Sequence, residues 1–233
     1  MKINNKDDYK KIIDELKRLS DKKYLEFNSS IIPTNDIMYG VRTPILKQIS
    51  KKIANSDYEN FIKYNSHKSY EEKLLHGLVI GYINTDFNEI LRQIDIFIPF
   101  NDNWAINDIV CANLKVFKNN KKEGYKKIKE YLNSNNPWKI RFGLVLLLNY
   151  YIDDEYIDLI IDNIVLIKND NYYVKMANAW LISICFKKYK EKIYNLLKLK
   201  TLDKYTQNKA IQKIRESYEI SKFDKLEVLK YKC

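Results

Sequence analysis

Ser69-Tyr70-Glu71-Glu72-Lys73-Leu74 returns thirty-four residues later as Asn103-Trp104-Ala105-Ile106-Asn107-Asp108, then as Pro137-Trp138-Lys139-Ile140-Arg141-Phe142 and Asn171-Tyr172-Tyr173-Val174-Lys175-Met176. Each copy opens on a residue suited to a helix start and continues with an aromatic. Three positions after the aromatic stand Lys73, Asn107, Arg141 and Lys175, a column that Lys209 extends. The next column reads Leu74, Asp108, Phe142, Met176 and Ala210. A period in the thirties with helical spacing inside it is the mark of stacked helical hairpins, whose equivalent positions align as stripes along one face. One stripe is basic and its neighbour apolar, and Asp108 alone breaks the apolar one. The pattern predicts an all-α helical-repeat superhelix, an α-solenoid, with a concave basic face for a polyanion and a reactive carboxylate set into it.

Composition agrees with that reading. The 233 residues include five Gly and four Pro, and each Pro (Pro33, Pro44, Pro99, Pro137) sits near an expected helix edge, leaving long uninterrupted helical segments. The net charge of +11 points to an acidic partner, because clustered Lys and Arg bind phosphate through counterion release. A Lys-rich composition also arises from AT-rich coding, with much of the Lys solvating helix faces; the periodic basic column argues for a partner instead. Cys111, Cys185 and Cys233 lack the spacing of a metal site and read as reduced thiols. Two histidines, His67 and His76, make neither a zinc site nor a histidine-based triad, and His76 on an apolar helix reads as a satisfied core residue. Nothing calls for a metal or an organic cofactor. The polar N-terminus and the short apolar run Phe142–Leu148 give neither a signal peptide nor a membrane span, so a cytoplasmic protein is expected.

Along the chain, apolar spacing predicts a first helix over 8–19, and the pattern breaks around 24–38 into an ordered loop or short helix. Thr43 as cap and Pro44 in the first turn open the next helix. Ser56, Ser69 and Asp86, each followed three residues later by Glu, mark further starts. Helices are expected near 57–65, 70–84, 87–98, 103–117, 122–132, 138–151, 154–167, 171–187, 190–198 and 204–218. One superhelical domain over 1–221 accounts for these, with 222–233 as a loosely held tail.

Trp104 and Asp108 are four residues apart and share a helix face, and so do Tyr172, Met176 and Trp180. In a stacked solenoid these side chains and Arg141 can converge on one cleft. Each also has a plainer reading: Trp104, Trp138 and Trp180 as core aromatics, which is preferred for Trp138, Arg141 as the partner of a nearby acid, and Asp108 as the satisfier of a helix end. A partly buried acid is costly unless paired or useful, and aromatic and basic neighbours favour a use.

Gly40-Val41-Arg42-Thr43-Pro44, Asn103-Trp104-Ala105-Ile106-Asn107-Asp108, Trp138-Lys139-Ile140-Arg141 and Lys175-Met176-Ala177-Asn178-Ala179-Trp180, taken in order and spacing, resemble the HEAT-like DNA glycosylases of alkylation repair, the AlkD type, from about residue 9 to residue 218. The resemblance implies that Asp108 is the catalytic carboxylate, that Trp104 and Trp180 contact the lesion-bearing nucleotide, and that Arg141 contacts the DNA. An N-terminal aromatic facing DNA would be Tyr24 or Phe27. Lys175, Lys209, Lys213 and Arg215, with Tyr172, would complete the DNA-binding surface. Asn149 and Ser183 stand where basic residues are more typical of the family. The implied activity is hydrolysis of the N-glycosidic bond of cationic N3- or N7-alkylpurines in duplex DNA, without base flipping, by a monomer. A non-catalytic DNA-binding relative of the same architecture and a helical-repeat scaffold for an acidic protein are the alternatives.

Overall fold

The computed structural model describes residues 2–233 and contains, among them, fourteen α-helices and no named strand. The chain divides into two compact units, the first ending at Val116 and the second running from Phe117 to Cys233.

The first unit holds α1 (Lys6–Arg18), α2 (Lys22–Ile31), α3 (Thr43–Ala54), α4 (Tyr58–Tyr64), α5 (Tyr70–Ile80), α6 (Phe87–Phe97) and α7 (Trp104–Asn113). Helices α3, α5 and α7 pack in succession, and α5 in the middle buries all eleven of its residues, the polar Glu71, Glu72, Lys73 and His76 included. Each charged group there has work that makes its burial tolerable. Glu71 accepts the backbone N–H of Gly40 at 2.7 Å, of Tyr39 at 3.0 Å and of Val41 at 3.2 Å, pinning the turn ahead of α3. Desolvation pushes its carboxyl above the usual range, against the pull of those donors. Gly40 lies at φ 81°, and a Cβ there would come within 2.9 Å of the Asp21 carbonyl, so only glycine fits the turn.

The second unit holds α8 (Lys121–Leu132), α9 (Pro137–Tyr150), α10 (Ile157–Leu166), α11 (Tyr172–Lys188), α12 (Lys190–Leu199), α13 (Lys204–Glu216) and α14 (Lys222–Glu227). Here α9, α11 and α13 form the packed row, with α8 against α9 and α12 against α11. The repeat is visible in the polar contacts between neighbouring hairpins. Lys187 pairs with Glu219 at 2.7 Å, the Tyr189 hydroxyl donates to Asp154 at 2.7 Å, and Tyr151 OH donates to the Lys121 carbonyl at 3.1 Å, all spanning about one repeat of sequence.

Helix boundaries fall close to those expected, with two corrections at helix starts. Of the loop or short helix expected after Ser20, the structure takes the helix, α2, ten residues long and capped by Asp21, whose carboxylate accepts from Tyr24 N at 3.0 Å. Thr43 is not a cap; it is the first residue of α3, and its hydroxyl bonds to Tyr24 OH at 3.2 Å. Ser56 does not open α4 either, since its hydroxyl turns back to the Lys52 carbonyl at 2.8 Å. Residues 222–233 are not a loose tail. Asp224 receives Lys190 at 2.6 Å and Tyr194 OH at 2.9 Å, Val228 is fully buried, and Asn208 bonds to both the N–H and the carbonyl of Cys233.

Candidate functional site

In the first unit the candidate residues belong to α7. The helix starts where the Asn103 side chain, itself fully buried, accepts the N–H groups of Ala105 and Ile106 at 3.1 Å each. Ala105, Ile106, Val110 and Cys111 bury one side of α7, which leaves Trp104 and Asp108, one turn apart, half-buried on the same face. Asn107, fully buried, donates from Nδ2 to Asp108 Oδ1 at 3.1 Å and accepts from Asn101 Nδ2 at 2.8 Å. Just before the cap, Asp102 takes the Lys73 ammonium, which also pairs with Asp36 at 2.6 Å. Lys73 stands in the basic column by sequence, yet its charge is committed inside the first unit.

On α2, Phe27 is 59% exposed. Tyr24 is half-buried, with its hydroxyl on Thr43 and the Arg42 guanidinium 5.2 Å from its ring. Of the two N-terminal aromatics, Phe27 is the one open to a partner.

In the second unit Arg141 is only 5% exposed, and its Nη1 donates to the Tyr173 carbonyl at 2.7 Å, tying α9 to the first turn of α11. Trp138 is half-buried and stacks on Tyr173 with ring centroids 5.0 Å apart. Tyr172 is 55% exposed and meets the edge of Tyr173. Further along α11, Met176 accepts the Tyr205 hydroxyl at 3.3 Å, and Trp180 is half-buried one turn later. Lys175 is held by Asp170 at 2.7 Å and faces Asp203 at 3.7 Å; the Asp170 hydrogen bond is the main reason its ammonium sits above the usual range.

Helix α13 carries the cations Lys204, Lys209, Lys213 and Arg215. Burial lowers the Lys213 ammonium, the Glu216 charge raises it, and the positive charges of Lys209 and Arg141 lower it further. Two residues along a helix turn through about 200°, which carries Arg215 away from Lys213. Arg215 instead lines a shallow groove of about 730 Å³ with Lys204, Tyr205, Asn208, Lys209 and Lys232. Lys204 and Lys232 escaped the repeat pattern, Lys204 because it lies outside the basic column and Lys232 because it reaches the groove only through the docked C-terminal segment.

Asn149 and Ser183 both turn back onto their own helices, Asn149 Nδ2 to the Val145 carbonyl and Ser183 Oγ to the Trp180 carbonyl, each at 2.7 Å. Ser183 is buried and offers nothing to a phosphate.

The described residues thus form an all-α helical-repeat protein, with a Trp and an Asp on one capped helix of the first unit and cations along a helix of the second. Residues 12–218 match the family described as DNA alkylation repair enzyme, and the chain belongs to that family. No curated protein sequence matches it significantly. Among the described residues no helix is long and apolar enough to cross a membrane.

Proposed function

We propose that the chain is a DNA glycosylase that hydrolyses the N-glycosidic bond of cationic N3- or N7-alkylpurines in duplex DNA, with Asp108 as its catalytic carboxylate. The observation that carries this reading is the half-buried carboxylate one turn from Trp104 on the buried, capped helix α7. Alkylation places a positive charge on the base, so the bonding pair leaves with the purine as a neutral molecule and no general acid is needed. Positive charge then develops on the deoxyribose, and an anion beside C1′ stabilises it as a carboxylate does in glycosidases. Water adds to C1′ and gives up a proton, leaving an abasic site. Trp104, and Trp180 by its family likeness, supply aromatic faces to the cationic nucleotide, about 0.5–2 kcal/mol each depending on desolvation. Lys209, Lys213 and Arg215 with exposed Tyr172 and Phe27 serve the duplex; Arg141, being buried, acts through Lys213 and the α11 backbone. Contacts of this kind suit extraction without a base-enclosing pocket.

Release of 7-methylguanine and 3-methyladenine from methylated duplex DNA, wild type against Asp108→Asn, tests the proposal. Release by wild type and its loss in the variant, with DNA binding retained, is the expected outcome. A second reading, DNA binding without excision, draws on the burial of Arg141 and the inward hydrogen bonds of Asn149 and Ser183. Salt-sensitive binding with no base released by wild type would select it.

A further inference from the structure

Two buried amides reach the Asp108 carboxylate from inside the protein. Asn101 Nδ2 donates to Asn107 Oδ1 at 2.8 Å, and Asn107 Nδ2 donates to Asp108 Oδ1 at 3.1 Å. A carboxylate only accepts, so it fixes the direction of the relay: the Asn107 NH2 faces Asp108, its carbonyl faces inward, and the Asn101 NH2 must meet that carbonyl. At the inner end the Asn101 Oδ1 is buried with no hydrogen-bond partner. Leaving that oxygen unmet is costly, and apolar side chains at 101 and 107 would avoid the cost.

Asn107 is also the neutral member of a column otherwise made of Lys73, Arg141, Lys175 and Lys209. A cation at this position would set a full positive charge beside Asp108 and cancel the field that a developing positive charge on a sugar requires. A neutral amide orients a carboxylate through a hydrogen bond while leaving its charge in place.

We infer that Asn107, locked by Asn101, is a positioning residue that sets the orientation of Asp108. The catalytic consequence rests on the glycosylase reading; the effect on the carboxylate itself does not.

The test compares wild type with Asn107→Leu and Asn101→Leu, both near in size to the native residues. The Asp108 carboxyl-carbon NMR resonance, assigned with Asp108→Asn, reports its hydrogen bonding at neutral pH, and single-turnover 7-methylguanine release reports the rate. In Asn107→Leu the Asp108 carboxyl resonance should move as its amide donor is lost, and the release rate should fall on the order of 10- to 100-fold, with duplex affinity unchanged. Asn101→Leu, which leaves the donor but frees it to rotate, should move every readout the same way by less. An unchanged Asp108 carboxyl resonance in folded Asn107→Leu overturns the inference, and if that variant does not fold, an unchanged resonance in Asn101→Leu does so. Absence of base release by wild type would defeat the glycosylase reading alone, because the carboxyl resonance reads the relay without it.

Discussion

His67 Nε2 and His76 Nδ1 lie 2.9 Å apart, with His67 stacked flat on Phe100 and His76 edge-on to Phe97. His76 is a core residue, as its apolar helix suggests, but its Nε2 is buried without a hydrogen-bond partner. Burial, resisted at His67 by the nearby Glu72 charge, pulls the pair down to about 4 for His67 and about 3 for His76. These values lie below the 6.5 of an unfolded histidine, so between those limits the unfolded chain binds more protons and stability falls as pH falls. The double variant His67→Gln/His76→Leu should therefore lose less stability than wild type between pH 7 and pH 4, by an amount on the order of a few kcal/mol. Urea unfolding at several pH values measures it, and parallel curves for the two proteins would exclude the pair as a source of acid sensitivity. At this scale sequence reading reaches residues through their spacing: Trp104 and Asp108 share a face because 3.6 residues make a turn. It does not reach their partners. That Lys73 is spent on Asp36 and Asp102, and Arg141 on the Tyr173 carbonyl, depends on side chains brought together across loops and between neighbouring hairpins.

Helix α7 keeps its place by close approach to α5. A Cβ on Gly77 would run into Val110 and come within 2.9 Å of the Phe97 ring, and both neighbours are fully buried. Gly77→Ala should cost about 1–3 kcal/mol through overpacking. It should also displace α7, so that base release falls more than the loss of stability alone explains. Chemical denaturation and single-turnover release, both at a temperature where the variant is folded, separate the two effects; a variant of wild-type stability would show that the α5–α7 contact has slack. Helix starts were legible where a short polar side chain had one available role: Ser69, Asp86, Asn103 and Asn171 all cap as their positions suggest. They were misread at Thr43 and Ser56, where the hydroxyl had a competing acceptor or donor. Hydroxyls are versatile in this way, and local sequence does not choose between a cap and a back-bond to the preceding turn.

Over the whole chain the period of thirty-four made the helical repeat legible before any single helix was secure, because one register explains the aromatic, basic and apolar columns together. The division after Val116 carries no such signal: it falls within the 3-10 turn Lys115–Lys118, with no Gly, Pro or Ser to mark it. Net charge is legible in the same coarse way, since +11 foretells a polyanion but not which cations meet it. Lys73 and Lys175 are each held by carboxylates, and Arg141 is buried. Lys209 and Lys213 remain as neighbouring cations one turn apart on α13, where burial lowers the Lys213 ammonium, Glu216 counters it, and the repulsion of the Lys209 and Arg141 charges lowers it further. A phosphate placed there relieves that repulsion, which makes this pair the sharpest test of the DNA surface. Each phosphate neutralised on duplex DNA contributes about 0.9 to the slope of log affinity against log salt. Replacing Lys209 and Lys213 together by Gln should therefore make that slope shallower by about 2, weakening binding at low salt more than at high salt and alike for every sequence. Fluorescence titration of labelled duplexes over a range of salt concentrations measures the slope, and coincident slopes for variant and wild type would place the pair outside the interface.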